Sequence, residues 1–482
     1  MKYRHSITTM LAFLFCYTIL SGQGSTAAAT KVCLQIGGLS DTSCIYLQAI
    51  HENKKSNLDS TYLNKDGEIV FQLPTMPEPG YYNIVLPSGT ELPVLLNGER
   101  NITLCTQMDY PIDNMAVEGS LENELLYNCL QYESHLGERF QNEIQELQRN
   151  RQESMDQQFV NQLRERYFVE RESFYASAFA RYSNTLYVKY EKANQEPAIL
   201  NRIASAALLN RSDRQQMMLS HYWDNVDFND DRLLNTPVVF DKLWQYFNKF
   251  VPDQTDVKLQ AVDMLMDKVA DHPAYYRFFT EWLTKEYRAP FTGMMDPDAL
   301  YIHMVDHYLT NERAFWADSL QEYAWNLRAE DLRASLVGMP GQDFAAKDAN
   351  GVSHNLLDIE SPYIAIFFFH TDCVHCIETT PELVQKYREL KEQGLKVVAV
   401  SMGAETDEWK AFMEKNHMDD FVNLTDEDNN SIYKSYFVRA TPEIYLLNPD
   451  RKIIGKHLSV EDIQAVMEMD KTGELNEMSS SR

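Results

Sequence analysis

The chain has 482 residues, which is too long for one hydrophobic core, so the sequence predicts several domains. It carries 44 basic and 71 acidic residues, giving a formal net charge of −27, and no basic stretch stands out. Because nonspecific nucleic-acid binding needs basic patches, this composition excludes it, and we interpret the acidity as a solubility feature.

The first residues are typical of a secretory signal peptide, which we assign to residues 1–24. A basic start precedes an apolar segment at residues 10–20 and small residues at 21–29. This apolar segment is too short to span a bilayer, so no stable membrane span is expected after cleavage. Phe15 is too bulky for the position before a lipidated cysteine, so lipid attachment at Cys16 is not expected.

Residues 25–118 contain short runs of β-forming residues separated by turn residues. Gly37-Gly38, Asp66-Gly67 and Asn97-Gly98 separate several runs, and such pairs adopt positive φ at low cost. The pattern predicts an all-β, sandwich-like domain. Its candidate strands are Val32–Ile36, Cys44–Ile50, Glu68–Leu73, Tyr81–Leu86, Leu92–Leu96 and Asn101–Cys105.

Cysteines in this region permit disulfides, because the predicted export leads to an oxidising compartment. Cys33 and Cys44 fall symmetrically about a turn near Gly38, which predicts that they face each other on neighbouring strands. They either form a cross-strand disulfide or pack as two small apolar side chains. Together with Cys105 and Cys129 they allow three pairings, and the sequence does not choose among them.

Residues 119–335 change to a helical pattern, beginning where Ser120 is placed to cap a helix. We expect two long helices before Asn194 and then a bundle of shorter ones. Dense aromatic residues are interpreted as core packing. Apolar stripes at helical spacing are formed by Leu125, Cys129, Tyr132 and Leu136, and, with one polar interruption at Glu172, by Phe168, Glu172, Tyr175 and Phe179.

One helical face in this segment carries His303, Asp306 and His307, which resembles a set of metal ligands. The catalytic zinc motif needs Glu directly after the first His, but Met304 stands there. We therefore expect surface and capping roles for these residues and no metal site.

Further on, the apolar run Tyr363–Phe369 leads into Cys373 and Cys376, which precede a helical pattern at residues 377–391. A buried strand that delivers two thiols to a helix N-terminus is typical of a redox site, since that position favours the thiolate. No cysteine follows Cys376, and Ile377 replaces the His that haem attachment requires, so neither zinc nor another cofactor is expected.

Residues 336–470 resemble the TlpA-like branch of the thioredoxin superfamily, an α/β fold, and residues 471–482 are expected to be a flexible tail. The resemblance implies that Thr441 and Pro442 form the cis-proline loop beside the cysteines. It is carried by GMPGQDF at 338–344, DANG at 348–351, CVHC at 373–376, Pro381, KVVAVS at 396–401 and ATPEIYLL at 440–447.

Two buried carboxylates that are usual in such proteins are missing. Phe367 stands where thioredoxin has aspartate, and Thr379 stands where TlpA-like proteins often have glutamate. Proton transfer during thiol exchange therefore needs another acceptor, and the nearby candidates are His375, Asp372 and Glu378.

The sequence predicts a thiol–disulfide oxidoreductase in the periplasm of a Gram-negative bacterium, acting as a reductase. Cys373 attacks a disulfide in an envelope protein, Cys376 resolves the mixed disulfide, and a membrane electron donor restores both thiols. The backbone of Thr441 is expected to pair with substrate, and His375 to tune the site as in DsbA-like oxidants, which leaves the direction of electron flow open. The alternative is a non-enzymatic envelope binding protein with a vestigial thioredoxin-like domain.

Overall fold

The structure is a computed structural model that describes residues 29–150, 157–206, 208–286, 296–403, 406–426 and 431–474. The predicted signal peptide and residues 475–482 of the predicted tail lie outside them. The chain divides into two compact units, residues 1–50 with 55–176 and residues 51–54 with 177–482. Among the helices of the described part, none combines the length and apolar character needed to cross a membrane.

The N-terminal region is built from β-strands, as predicted. Its strands are β1 (Thr30–Gly37), β2 (Ile45–His51), β3 (Lys54–Thr61), β4 (Glu68–Leu73), β5 (Gly80–Val85), β6 (Glu91–Leu96), β7 (Asn101–Gln107) and β8 (Ala116–Glu118). They form two four-stranded sheets, ordered β4-β1-β7-β8 and β3-β2-β5-β6. Alternating burial along β1 and β7 reflects the pleat of strands with one covered face.

The predicted placement of Cys33 opposite Cys44 is wrong. Cys33 lies on β1, whereas Cys44 directly precedes β2, and the two strands belong to different sheets. The turn at Gly38 does not close a hairpin, because β1 pairs with β4 on one side and in parallel with β7 on the other. Cys33 is a buried thiol that packs in the sheet, which is the second of the two predicted alternatives.

The helical region contains two long helices, α1 (Leu121–Asn150) and α2 (Gln157–Arg181), as predicted. The shorter helices are α3 (Leu186–Asn194), α4 (Ala198–Ala204), α5 (Arg211–His221), α6 (Pro237–Gln245), α7 (Thr255–Lys268), α8 (Pro273–Glu286), α9 (Pro297–His307) and α10 (Ser319–Arg333). The α1 stripe is confirmed because Leu125, Cys129 and Leu136 are buried, but Phe168 of the second stripe is 51 % exposed.

Aromatic packing accounts for much of the helical core. Trp223, Tyr246 and Tyr275 are almost wholly buried, and their rings contact other aromatic rings at centroid distances of 5–6 Å. Such contacts stabilise a core beyond the area they bury. The interpretation as core is therefore confirmed for these residues, while Trp244 and Phe315 are exposed.

The C-terminal region is a mixed sheet with helices on both faces, as predicted. Its elements are β9 (Ala345–Lys347), β10 (Ser353–Asn355), β11 (Tyr363–Phe369), α11 (Val374–Leu390), β12 (Leu395–Met402), α12 (Thr406–Lys415), β13 (Val422–Asp426), α13 (Ser431–Tyr436), β14 (Glu443–Leu447), β15 (Ile453–Gly455) and α14 (Asp462–Thr472). The sheet order is β10-β9-β13-β12-β11-β14-β15. Strands β11, β12 and β13 run parallel, and β14 runs antiparallel to β11.

Strand β11 lies inside this sheet, between β12 and β14, and all of its residues are buried. Phe367 and Phe369 pack on one face together with Cys376, and Phe368 packs on the other face with Tyr436. A continuous apolar run is what a strand covered on both faces requires. This burial holds the C-terminal end of β11 in place, and the two cysteines follow that end in the chain.

Candidate active site

Cys373 occupies the N-cap position of α11, directly after the end of β11 and a short turn. Its Sγ accepts a hydrogen bond from the backbone N–H of Cys376 at 3.4 Å. The first turn of a helix has backbone N–H groups without helical partners, so a negative sulfur is favoured there. Cys373 is partly exposed, so its sulfur remains accessible to a substrate.

The electrostatic surroundings of Cys373 favour its ionised form. Partial burial would raise the pKa of its thiol, but hydrogen bonds from the side chain and backbone of Cys376, from Thr441 and from the backbone of His375 lower the pKa below 9.0. A lowered pKa increases the fraction of thiolate, the attacking species, at any pH below the ordinary thiol pKa.

Cys376 has the opposite properties. It is fully buried in the core cluster beside Phe367. Burial, followed by the hydrogen bond with Cys373, raises the pKa of the Cys376 thiol to about 12. Two neighbouring thiols are thus set far apart in acidity, one accessible and easily ionised, the other enclosed and protonated.

The Thr441–Pro442 loop lies beside the thiols, and its peptide bond is cis. The Cys373 thiol donates a hydrogen bond to the carbonyl oxygen of Thr441 at 3.3 Å. Both loop residues are partly exposed. The fold therefore brings together the end of β11, the start of α11 and the start of β14.

The side chain of His375 does not face the thiols. It is 81 % exposed, and its Nδ1 lies 3.5 Å from Glu378 Oε2, on the solvent side of α11. His375 contacts the site through its backbone N–H, which helps to lower the pKa of Cys373. Asp372 and Glu378 are exposed as well, so all three candidate proton acceptors lie in solvent while Cys376 is buried.

The histidine-rich face of α9 has ordinary partners. His303 Nε2 lies 2.6 Å from Asp263 Oδ1, and Asp306 pairs with Arg333. Within the described residues no group of three or more His, Cys, Asp or Glu side chains is arranged to hold a metal ion.

Sequence reasoning missed a buried charged cluster next to the loop. Asp298 of α9 contacts Lys456 (Oδ2 to Nζ, 2.8 Å), Arg439 (Oδ1 to Nη2, 3.3 Å) and His457 (Oδ2 to Nε2, 3.6 Å). His457 also binds Glu443, whose Oε1 accepts from the His457 backbone N–H and whose Oε2 lies 2.6 Å from its Nδ1. No local sequence signal links these residues, because Asp298 and Lys456 are 158 positions apart.

Charges in this cluster stabilise one another. Burial would raise the pKa of Asp298, but the nearby His457 imidazole and the Lys456 charge hold it well below its usual range. Burial likewise opposes protonation of His457, yet its ion pair with Asp298 and its hydrogen bond to Glu443 raise its pKa to about 9. His457 is therefore a cation at neutral pH. Asp296 is fully buried nearby, and burial raises its pKa.

The fold and the site together define a class for the C-terminal region. Residues 337–456 match the AhpC/TSA family, whose fold is thioredoxin-like, and residues 189–333 match a domain of unknown function, DUF5106. The C-terminal region is thus similar to a thioredoxin-like family, and the helical segment before it matches a separate family of unknown function.

Curated relatives of this domain are named thiol–disulfide oxidoreductases. The chain is 28 % identical over 117 residues to the thiol–disulfide oxidoreductase ResA of Bacillus subtilis, covering 24 % of this chain and 64 % of that protein. It is 25 % identical over 144 residues to ResA of Halalkalibacterium halodurans, covering 29 % and 81 %. The matched part thus spans slightly less than two thirds of the Bacillus subtilis protein.

Among solved structures, a thioredoxin-like protein from Bacteroides caccae is similar over 57 % of this chain and 98 % of its own, with a TM-score of 0.48 and 20 % identity. A domain of a possible thiol–disulfide isomerase from Cytophaga hutchinsonii is similar over 29 % of this chain and 95 % of its own, with a TM-score of 0.28 and 25 % identity.

Proposed function

We propose that this protein is a periplasmic thiol–disulfide oxidoreductase that reduces disulfides in envelope proteins of a Gram-negative bacterium. The observation that carries the proposal is the contrast between its two thiols. Cys373 is accessible with a lowered pKa, whereas Cys376 is buried with a pKa raised to about 12. This contrast suits an attacking thiol and a resolving thiol.

In the first step, the Cys373 thiolate attacks one sulfur of a substrate disulfide. The substrate S–S bond breaks, a bond forms between Cys373 and that sulfur, and the other substrate sulfur leaves as a thiolate and takes a proton from solvent. The Thr441 loop lies beside the attacking sulfur, with its carbonyl oxygen 3.3 Å from Cys373 Sγ, so an extended substrate segment would pair with the loop next to that sulfur.

In the second step, Cys376 loses its proton and attacks the Cys373 sulfur. The mixed disulfide breaks, a Cys373–Cys376 disulfide forms, and the second substrate sulfur leaves as a thiolate. Two electrons have then passed from the protein to the substrate. A membrane electron donor that supplies two electrons and two protons would return both cysteines to thiols.

Resolution of the mixed disulfide requires Cys376 to lose its proton after Cys373 has bonded to substrate. Loss of the negative charge on Cys373 removes the interaction that opposes ionisation of Cys376, since that interaction contributes to the raised pKa. The exposed side chains of His375, Asp372 and Glu378 remain proposed acceptors, with solvent entering as the substrate is bound.

Covalent trapping in the native envelope is the experiment that tests this function. The full-length protein with Cys376→Ser, produced in its own bacterium, should accumulate disulfide-linked adducts with envelope proteins. Adducts that disappear on reduction would identify the substrates. A variant that forms none, in cells where the wild-type protein is exported and reduced, would contradict the proposal.

A further inference from the structure

We propose that Asp298, in the helical segment, is a positioning residue for the loop that carries Thr441 and Pro442 in the redox domain. The inference rests on the proposed disulfide exchange, because that reaction uses the groove beside Thr441. It gives the helical segment of unknown function a role: that segment sets the geometry of the substrate groove.

The contacts of Asp298 reach the chain on both sides of the loop. On the N-terminal side, Arg439 Nη2 lies 3.3 Å from Asp298 Oδ1, two residues before Thr441. On the C-terminal side, Glu443 directly follows Pro442 and is bound twice by His457, whose Nε2 lies 3.6 Å from Asp298 Oδ2. The loop is therefore anchored at both ends to a single carboxylate on α9.

Burial makes these anchors stiff. The side chain of Asp298 is 3 % exposed and that of Lys456 is 0 % exposed. Asp296, the N-cap residue of α9, provides a second carboxylate, which lies 3.7 Å from Lys456 Nζ. Asp296 also accepts a hydrogen bond from the Val337 backbone N–H at 2.9 Å. Charged groups withdrawn from water interact strongly with their partners, so small displacements are opposed.

An apolar contact joins the same two parts of the chain. Phe437, at the start of the loop, packs against a core cluster formed by α9 and α10, which includes Val305, Ala329 and Leu332. The segment from Phe437 to Glu443 is thus held by helices outside the thioredoxin-like sheet. These helices, α9 and α10, precede the segment matched to the AhpC/TSA family at residues 337–456. That segment alone would therefore lack this support for the loop.

The position of the Thr441–Pro442 loop should affect substrate binding more than it affects the pKa of Cys373. Most of the hydrogen bonds that lower the pKa of Cys373 come from the helix itself, from Cys376 and the backbone of His375. The loop contributes the Thr441 contact to Cys373 and the edge on which an extended substrate would pair. A displaced loop should therefore weaken substrate binding while the thiolate keeps most of its reactivity.

The test compares Asp298→Asn with Asp306→Asn in the full-length protein. Asp306 is a matched control because it lies on the same helix and pairs with Arg333 at the surface. Three quantities are measured: hydrogen exchange of backbone amides in residues 437–443, KM and kcat for reduction of insulin, and the rate at which iodoacetamide alkylates Cys373.

For Asp298→Asn we expect amide exchange in residues 437–443 to be at least tenfold faster and KM to rise about fivefold or more. We expect kcat and the alkylation rate to stay within about twofold of wild type, and Asp306→Asn to match wild type throughout. Unchanged exchange and unchanged KM in a folded Asp298→Asn protein would overturn the inference. Equal losses in KM, kcat and alkylation would also overturn it, because they indicate general destabilisation.

Arg439 provides a milder variant should Asp298→Asn fail to fold, since its side chain is 25 % exposed and it contributes one of the anchors. Arg439→Met should reproduce the faster exchange and raised KM, and Arg439→Lys should restore both. Arg439→Met identical to wild type would overturn the inference. If the wild-type protein does not reduce insulin, the proposed function fails at that point, and amide exchange alone decides whether Asp298 positions the loop.

Discussion

The Sγ of Cys373 lies 3.3 Å from the carbonyl oxygen of Thr441, although 68 positions separate the two residues in the chain. This contact joins the helix that carries both thiols to the loop before β14. It places an accessible sulfur at the edge where an extended peptide has backbone groups to pair with.

Serine substitutions should separate the roles of the two cysteines. Cys376→Ser keeps the attacking thiol and lacks the resolving one, so it should trap mixed disulfides with a disulfide-containing protein. Cys373→Ser should trap none, because Cys376 is buried and its pKa is raised to about 12. Both variants should lose at least about a hundredfold in reduction rate, measured with insulin. Equal trapping by both would contradict the assigned roles.

The two thiols should titrate far apart. In Cys376→Ser, the rate of Cys373 alkylation by iodoacetamide should rise with pH through an inflection below 9.0, the ordinary thiol value, because the hydrogen bonds at the helix start favour the thiolate. In Cys373→Ser, burial still raises the pKa of Cys376, so this thiol should react very slowly at neutral pH and faster only in alkaline solution. Denatured protein is the control, in which both thiols should react alike.

Substitutions at His375 distinguish its imidazole from its backbone. The imidazole is 81 % exposed, while the backbone N–H contributes to the lowered pKa of Cys373. His375→Pro removes that N–H and should raise the pKa of Cys373, making the reduction potential more negative. His375→Ala keeps the N–H and should change the pKa by less than about half a unit on that reasoning. A large effect of alanine would assign the tuning to the imidazole.

Protonation of His457 should couple stability to pH. Its folded pKa is raised to about 9 from 6.5, so its contribution is fully present below pH 6.5 and is lost as the pH rises through 9. Two carboxylates, on Asp298 and Glu443, attract this charge, and Lys456 opposes it. The loss should be on the order of 3 kcal/mol. Denaturation of the wild-type protein between pH 6 and 10 should show it, and His457→Gln should lack this component.

Much of the redox domain could be predicted from the sequence, because its signals are local. The run Tyr363–Phe369 is apolar at every position, as a doubly covered strand requires, and the cysteines follow it directly. The hairpin near Ala345–Asn355 has turn residues between its strands, and the structure has β9 and β10 there. In each case the determining residues are neighbours in the chain.

Other features depend on partners distant in the chain. Strand β3 was missed because Lys54–Thr61 is polar and mostly exposed, so no alternating apolar pattern marks it. The misplacement of Cys33 has a similar origin, since its strand pairs with β7, some 70 residues further on. The Asp298 cluster is the extreme case: a charged residue in a helical pattern predicts a surface position, yet Asp298 is buried against opposite charges.

The cluster around Asp298 also limits which segments of this chain could be exchanged for those of related proteins. Asp298 lies in the segment matched to DUF5106, while Lys456 is the last residue of the segment matched to AhpC/TSA. Exchanging one segment for a relative that lacks the complementary charge would leave a buried ion without its counterion, which is strongly destabilising. The two segments should therefore be inherited together, and a substitution at one member of the pair should be tolerated only with a matching change at the other.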